Sequence, residues 1–458
     1  MSLIESCSSF LEKLKYEDLP SEAVKAAVRA IMDTLSVAIA GIREPLSLKL
    51  LAFLLAERSQ GPATVFGTKY KFGPASAALI NATAAHALDF DDVCPTIHSH
   101  PSAVVVPVIL ALGEEQHASG REVILAYVSG VELAAKVGVL TASSQYERGW
   151  HTTSTLGALG AAAAAAKIKR LTKSQIVNAL GIAASGAGGL RKNFGTMTKP
   201  LHCGLASQNG IMAAYLAGSG FTASTDVLSG AIGYHCIFSG VSEGSIDDTG
   251  VSFGNPFEVV SPGLYLKRYP CCYATHRAAD AVLLIAVNNP GLVPDEIKEI
   301  TCRGPKGSFQ PLIHDMPRTG LEGKFSMQYV VAAGIIDKKI SLKTFTDDMV
   351  QRREIQLLMK RIIKIEDPEV NFIGPGGKDQ RFTEVTVRCW DGRVFSEYVK
   401  SPKGSPENPL TDGEIIEKYY QCTEQFLSAE KRHKTAELLM NLPDVNDISE
   451  LLRYFHMA

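Results

Sequence analysis

The stretch LGALGAAAAAAK (156–167) holds nothing larger than leucine before its closing lysine. Alanine is the strongest helix former and carries almost no side chain. A helix built from it presents a thin surface on which neighbouring helices can approach closely. The stretch therefore reads as one member of a tight helical bundle. Its surroundings agree. EAVKAAVRAIMDTLSVAIA (22–40) has apolar residues at helical spacing. Segments 76–88, 102–116, 121–142, 155–168, 173–188 and 200–218 read as further helices between Gly, Pro and Ser/Thr punctuation. Strand signals are nearly absent before residue 260.

The texture changes past residue 265. IKEITCRGP (297–305) alternates like a strand, and TEVTVRCWDGRVFSEYVK (383–400) reads as a hairpin turning at Asp391-Gly392. Helices are expected near 274–288, 324–336 and 343–351, and again over 411–455 after the SPKGSPENPL segment. The economical arrangement is a mainly α chain. An all-helical domain is formed by 1–265 and 402–458, with a smaller α+β lid domain, 266–401, inserted between them. Clefts between such domains are common ligand sites.

A net charge of −2 over 458 residues gives no reason to expect nucleic acid or a membrane surface as partner. An anionic substrate would have to find its positive charge locally. No apolar run reaches transmembrane length, and the N-terminal MSLIESCSSFLEKLKYEDLP reads as an amphipathic helix, not a signal peptide. The nine cysteines form no CxxC pair. That pattern points to reduced thiols and a cytoplasmic setting, and no zinc spacing appears, so no metal is expected. SGAGGLRKNFG (185–195) lacks the G-x-G-x-x-G spacing and has no strand before it. It reads as a loop beside a site, and no organic cofactor is expected.

Four segments carry charge where a helical core should not need it. HALDFDDVCPTIHSHPSAVVVP (86–107) places Asp89, Asp91 and Asp92 at a helix C-terminus, where they oppose the helix dipole. Something cationic should neutralise them, or their protonation is used. The next loop holds His98 and His100. YERGWHTTSTLG (146–157) sets His151 before a Thr/Ser cluster suited to capping a helix. TMTKPLHCGLASQNG (196–210) has Pro200 where a first helical residue fits, which puts Lys199 at the helix start and His202 in its first turn. A lysine there is either exposed or held for a carboxylate. KRYPCCYATHRAADA (267–281) gathers Lys267, Arg268, His276 and Arg277 at the expected domain boundary.

With these segments in hand, the sequence resembles the MmgE/PrpD family of 2-methylcitrate dehydratases, cis-aconitate decarboxylases and an iminodisuccinate epimerase. The resemblance is carried by HALDFDD with HPSA, ERGWH with TLGALGAAAAAAK, TKPLHCGLASQNG, KRYPCCYATHRAADA and GKFSMQY (323–329). It implies a homodimer that works without metal or organic cofactor on a small di- or tricarboxylate. It also implies catalytic roles for Asp89, His100, His151, Lys199 and His276. Substrate binding would fall to His202, Lys267, Arg268, Arg277 and Gln328. Two departures bear on substrate identity: Val93 follows the aspartate pair where the decarboxylase branch has threonine, and Thr152-Thr153 follow His151 where many members have proline. The function expected is a lyase that dehydrates or decarboxylates a citrate-like acid through a carbanion- or enolate-like state, by acid-base catalysis. One alternative is epimerisation of an amino-dicarboxylate, with Tyr146 and Lys199 as the acid-base pair. The other is a dimeric binding protein without activity.

Overall fold

In a computed structural model, residues 2–242, 251–371 and 380–457 are described. The fold is mainly α, 58% helical with a small mixed sheet. The chain forms two compact units, Met1–Leu266 with Thr411–Ala458, and Lys267–Leu410.

Among the described residues of the first unit, the regular structure is helical apart from a two-residue strand pair, Ala63–Thr64 with Lys71–Phe72. Prolines open the helices Pro74–Ala87 and Pro101–Gln116, where their missing N–H is one that no helix would use. A Ser119–Glu122 capping box starts Gly120–Gly138. The alanine run lies in Thr152–Ile168, and every residue of that helix except Lys167 is buried. Close approach is literal here. A Cβ on Gly210 would fall 2.3 Å from the Ala161 Cβ, and one on Gly130 would fall 2.7 Å from the Gly160 carbonyl oxygen. On the other side of Thr198–Gly218, a Cβ on Gly204 would fall 2.4 Å from the Leu79 carbonyl oxygen. One helix is thus pressed against Pro74–Ala87 at Gly204 and against Thr152–Ile168 at Gly210. The returning C-terminal part is tied in by Lys418 of Asp412–Thr423. Its ammonium lies 2.6 Å from Asp33 and 2.8 Å from the Phe90 carbonyl, both well inside the unit.

Among the boundaries that differ from the sequence expectation, two have a visible cause. The segment 121–142 breaks at Gly138, which is wedged against Ile97 and Leu156, and a separate short helix follows at Ala142–Glu147. The helix expected at Pro200 begins at Thr198, so Pro200 is its third residue and Lys199 its second. All three lie in the first turn, where the backbone N–H has no intrahelical partner and proline is still tolerated.

In the second unit a four-stranded sheet runs in the order Ile362–Asn371, Ile297–Lys306, Thr383–Cys389, Val394–Val399. The first pair is parallel, with Ile300 opposite Ile362, and the others are antiparallel, with Cys302 opposite Val385. Ile297, Ile300, Cys302, Val385 and Val387 form one apolar face with residues of His276–Asn288 and Met327–Asp337. The expected hairpin is present, with Gly392 at φ +91° in its turn. The strand Ile362–Asn371 was not expected. It is mostly exposed, carries charges and contains Pro368, as edge strands do. The SPKGSPENPL segment is held within this unit by the Lys403 N–H donating to Asp280 at 2.6 Å. Among the described residues, no helix is long and apolar enough to cross a membrane.

Replacing Gly210 by alanine should cost about 1–3 kcal/mol, because the added methyl meets backbone as well as the Ala161 side chain. Urea denaturation checks this, and an unchanged midpoint would show that the two helices separate freely at that point.

Candidate active site

Pro74–Ala87 ends at Leu88, and the next residue, Asp89, has φ +52°. The left-handed conformation is the usual way to end a helix, and aspartate is among the few residues besides glycine that tolerate it. This turn reverses the chain so that the three aspartates point to three different partners. Asp89 Oδ1 lies 2.7 Å from the Lys199 ammonium, with the two side chains only 6% and 7% exposed. Asp91 Oδ2 lies 2.8 Å from His86 Nδ1 and 3.5 Å from His100 Nδ1. Asp92 accepts from the Ser102 N–H at 3.2 Å and from the Ser102 hydroxyl at 2.5 Å, at the start of the next helix. Ser102 also meets the Tyr127 hydroxyl at 2.6 Å. The cations expected around the aspartates are therefore Lys199 and histidines. Asp91 and Asp92 hold the site's frame.

The histidines form a continuous group. Ring centroids are 4.6 Å apart for His86–His100, 6.1 Å for His86–His151 and 5.3 Å for His151–His202. His100 Nδ1 faces the Asp92 carbonyl at 2.7 Å. A carbonyl can only accept, so Nδ1 carries a proton. His151 and His202 face each other through their Nδ1 atoms at 3.0 Å, so one donates and the other accepts. Burial pushes His151 well below the ordinary imidazole value, and the charges of Lys199, His86, His100 and His202 act in the same direction. Burial also lowers His202, to about 4. It lowers His86 too, against the opposing pull of Asp91. Near neutral pH these three rings are uncharged bases beside a buried lysine.

Loops hold the group in place. The Thr152 hydroxyl donates to the His98 carbonyl at 2.6 Å, and the His100 N–H donates to Thr153 Oγ1 at 3.2 Å. The Thr/Ser cluster thus pins the histidine loop and makes no side-chain cap. Segment 185–195 does lie beside the site. The His151 N–H donates to the Gly189 carbonyl at 2.9 Å, and the Phe194 ring packs edge-on to His151 at 5.0 Å with the Lys199 ammonium 5.3 Å from its centre. Arg191 stacks 3.6 Å over Tyr146, and Tyr146 also lies 5.3 Å from the His98 ring.

The remaining candidates lie in the second unit. His276 is buried between the rings of Tyr269 and Tyr273, with Nε2 3.3 Å from the Cys271 carbonyl. Arg277 Nε donates to the Lys400 carbonyl at 2.8 Å, and Gln328 donates to Asp315 at 3.1 Å. Lys267 is fully buried, whereas Arg268 is exposed beside Tyr269.

The structure thus brings together Asp89, His100, His151, Lys199 and His202 in the first unit, and adds His86, Asp91, Ser102 and Phe194. His86 stood in the quoted motif without a role. Its signal is the reversal at Asp89, which folds Asp91 back onto it. Among the described residues, His86, Asp89 and His100 place one donor atom each within 4.8 Å of one another, a spacing that could hold a metal. Lys199 already sets the protein's own cation on Asp89.

A buried ammonium–carboxylate pair beside buried imidazoles, on a mainly helical frame, is an arrangement whose side chains can donate and accept protons. Family comparison gives the particular class. The model of the MmgE/PrpD N-terminal domain matches residues 5–245, and that of the MmgE/PrpD C-terminal domain matches residues 269–443. The chain belongs to the MmgE/PrpD family. It is 28% identical to cis-aconitate decarboxylase of Mus musculus, across 99% of this chain and 93% of that protein. It is 26% identical to cis-aconitate decarboxylase of Aspergillus terreus, across 96% and 93%. It is 23% identical to 2-methylcitrate dehydratase of Salmonella typhi, across 92% and 90%.

Asp92 gives the site a measurable electrostatic signature. Burial raises its carboxyl to about 7, with Asp91 adding to the shift and Ser102 opposing it. Between pH 4 and 7 the unfolded chain has released this proton and the folded one retains it. Stability from this group therefore falls as pH rises through that window. Asp92→Asn removes the effect. The stability of the variant relative to the parent should climb from pH 4 to pH 7 with a slope of up to about 1.4 kcal/mol per pH unit, as read by denaturant melts at several pH values. A flat difference would place an ionised carboxylate at Asp92 throughout.

Proposed function

We propose that this protein is a lyase that eliminates water or carbon dioxide from a citrate-like polycarboxylate. The observation that carries the reading is the Lys199–Asp89 pair, with a His100 nitrogen within 4.8 Å of the Asp89 carboxylate and His151 and His202 near enough to feel the Lys199 charge. The names of the relatives support the substrate class. Both reactions build negative charge on a carbon beside a carboxylate. A fixed ammonium aimed at that charge stabilises it, and neutral imidazoles accept or return the proton. Asp89 orients Lys199. His202, paired with His151, holds one of that ring's nitrogens, which leaves the other for the reacting atoms. We extend the reading to His276 as a further proton-transfer residue, to Lys267, Arg268, Arg277 and Gln328 as carboxylate-binding residues, and to a homodimeric assembly. It needs no metal: proton transfer and charge stabilisation are both supplied by side chains.

Lys199 is buried against a carboxylate, so its removal acts on folding as well as turnover. Lys199→Ala takes the ammonium away from Asp89, and breaking a buried pair costs about 3–5 kcal/mol. Removal of Asp89 as well should recover part of the stability and none of the activity. The test is a panel of 2-methylcitrate, citrate, cis-aconitate and iminodisuccinate with the chelator-treated protein, followed by proton NMR in deuterated water. We expect loss of water or of CO2 from one of the citrate-like acids. Turnover should fall by about 10²–10⁴-fold in Lys199→Ala and in His276→Gln. Hydrogen exchange at carbon with neither loss would favour the epimerase reading. Silence on all four acids would overturn both.

A further inference from the structure

His86 has no role in the mechanism above, yet it lies at the centre of the group. Its side chain has no solvent exposure, and neither has that of Asp91. The Asp91 carboxylate accepts from His86 Nδ1 at 2.8 Å, which leaves the lone pair on Nε2. That nitrogen is buried without a hydrogen-bond partner among the described residues, and the same holds for Nε2 of His151. A buried polar atom left unsatisfied destabilises the fold, so two of them in adjacent rings point to a function. The His86 ring stands 4.6 Å from His100 on one side and 6.1 Å from His151 on the other.

We propose that the Asp91–His86 pair is a proton store shared by His100 and His151, a role that rests on the lyase reading of the same site. His86 takes a proton at Nε2 from one neighbour and returns it from Nε2 to the other. Its Nδ1–H stays on Asp91 throughout, and that carboxylate stabilises the transient imidazolium, as an aspartate does for a catalytic histidine. The reactions call for such a store. In dehydration a base takes the proton of a C–H bond, the C–O bond breaks, and the leaving oxygen takes a proton from an acid. Water departs, and the base holds the proton that the acid has lost. Passage through His86 restores both for the next turnover. In decarboxylation the C–C bond breaks to release CO2, and the electron pair left on carbon takes a proton from an imidazolium. Solvent supplies that proton through the store. Neither sequence consumes an oxidant or a reductant. His86 acts through its neighbours and is a positioning and relay residue.

The test uses His86→Gln, Asp91→Asn and Asp91→Glu in the full chain, with whichever acid the parent protein turns over. Expected are losses of about 10²-fold or more in kcat for the first two variants, with KM within about threefold, and partial recovery in Asp91→Glu, which keeps a carboxylate. His86→Gln and Asp91→Asn with kcat within twofold of an active parent would overturn the inference and leave the lyase reading intact. A parent inactive on every acid fails the lyase reading instead. Should the variants not fold, long-range proton–nitrogen spectra of the histidine-labelled parent decide. The His86 ring must appear as the Nδ1–H tautomer, and an Nε2–H tautomer would overturn the proposal.

Discussion

A lysine and an aspartate 2.7 Å apart, with barely any solvent on either side chain, are the constraint around which the first unit is arranged. Such a pair survives burial only when its geometry is held by the rest of the fold, since each ion alone would lose several kcal/mol of hydration. The holding is done by backbone. Lys199 sits in the first turn of Thr198–Gly218, and Asp89 in the left-handed cap of Pro74–Ala87. Those two helices touch at Gly204, where even a methyl group has no room against the Leu79 carbonyl. The glycine contacts that make the bundle tight are thus the ones that bring the two charges together.

The pair in turn shapes the imidazoles. Burial lowers His86, His151 and His202, and the positive charge of Lys199 lowers each further. Three rings that would be partly protonated in water near pH 6.5 are thereby shifted toward the neutral form. The Lys199–Asp89 pair has no net charge and Asp91 is a carboxylate beside a neutral ring, so the site carries no net positive charge until an anion enters. Binding a polycarboxylate and protonating a histidine therefore favour each other. On the proposed function, a chain of net charge −2 would meet an anionic substrate with positive charge created locally.

Much of this was legible in the sequence. Helix positions followed from periodicity and from prolines and capping residues, and the hairpin from Asp391-Gly392, because those signals are local. The family motifs pointed to Asp89, His100, His151, Lys199 and His276, of which the first four lie in the first unit. What was hidden depends on backbone direction or on distant residues. His86 and Asp91 are five apart, a separation that does not face inward on a helix. Only the left-handed Asp89 folds one onto the other. Lys199 could be read as waiting for a carboxylate, but nothing local said that the carboxylate was Asp89, 110 residues away. Thr152 and Thr153 looked like caps and instead pin the histidine loop, since their partners His98 and His100 come from another segment. The strand Ile362–Asn371 was obscured because an exposed edge, charged and broken by Pro368, lacks the alternation that marks a strand packed on a core.

The central claim is that neutral imidazoles around a buried Lys199–Asp89 pair form the receptor for a polycarboxylate. Calorimetric titration with tricarballylate, which has neither hydroxyl nor double bond to react, tests it most directly when run at pH 7 in buffers of different ionisation enthalpy. Carboxylates entering the site raise the histidines' proton affinity, so binding should be accompanied by net proton uptake that disappears when His151 and His202 are both replaced by glutamine. Binding with no proton uptake, or with proton release, would show that the histidines are already charged in the free protein and would contradict the account.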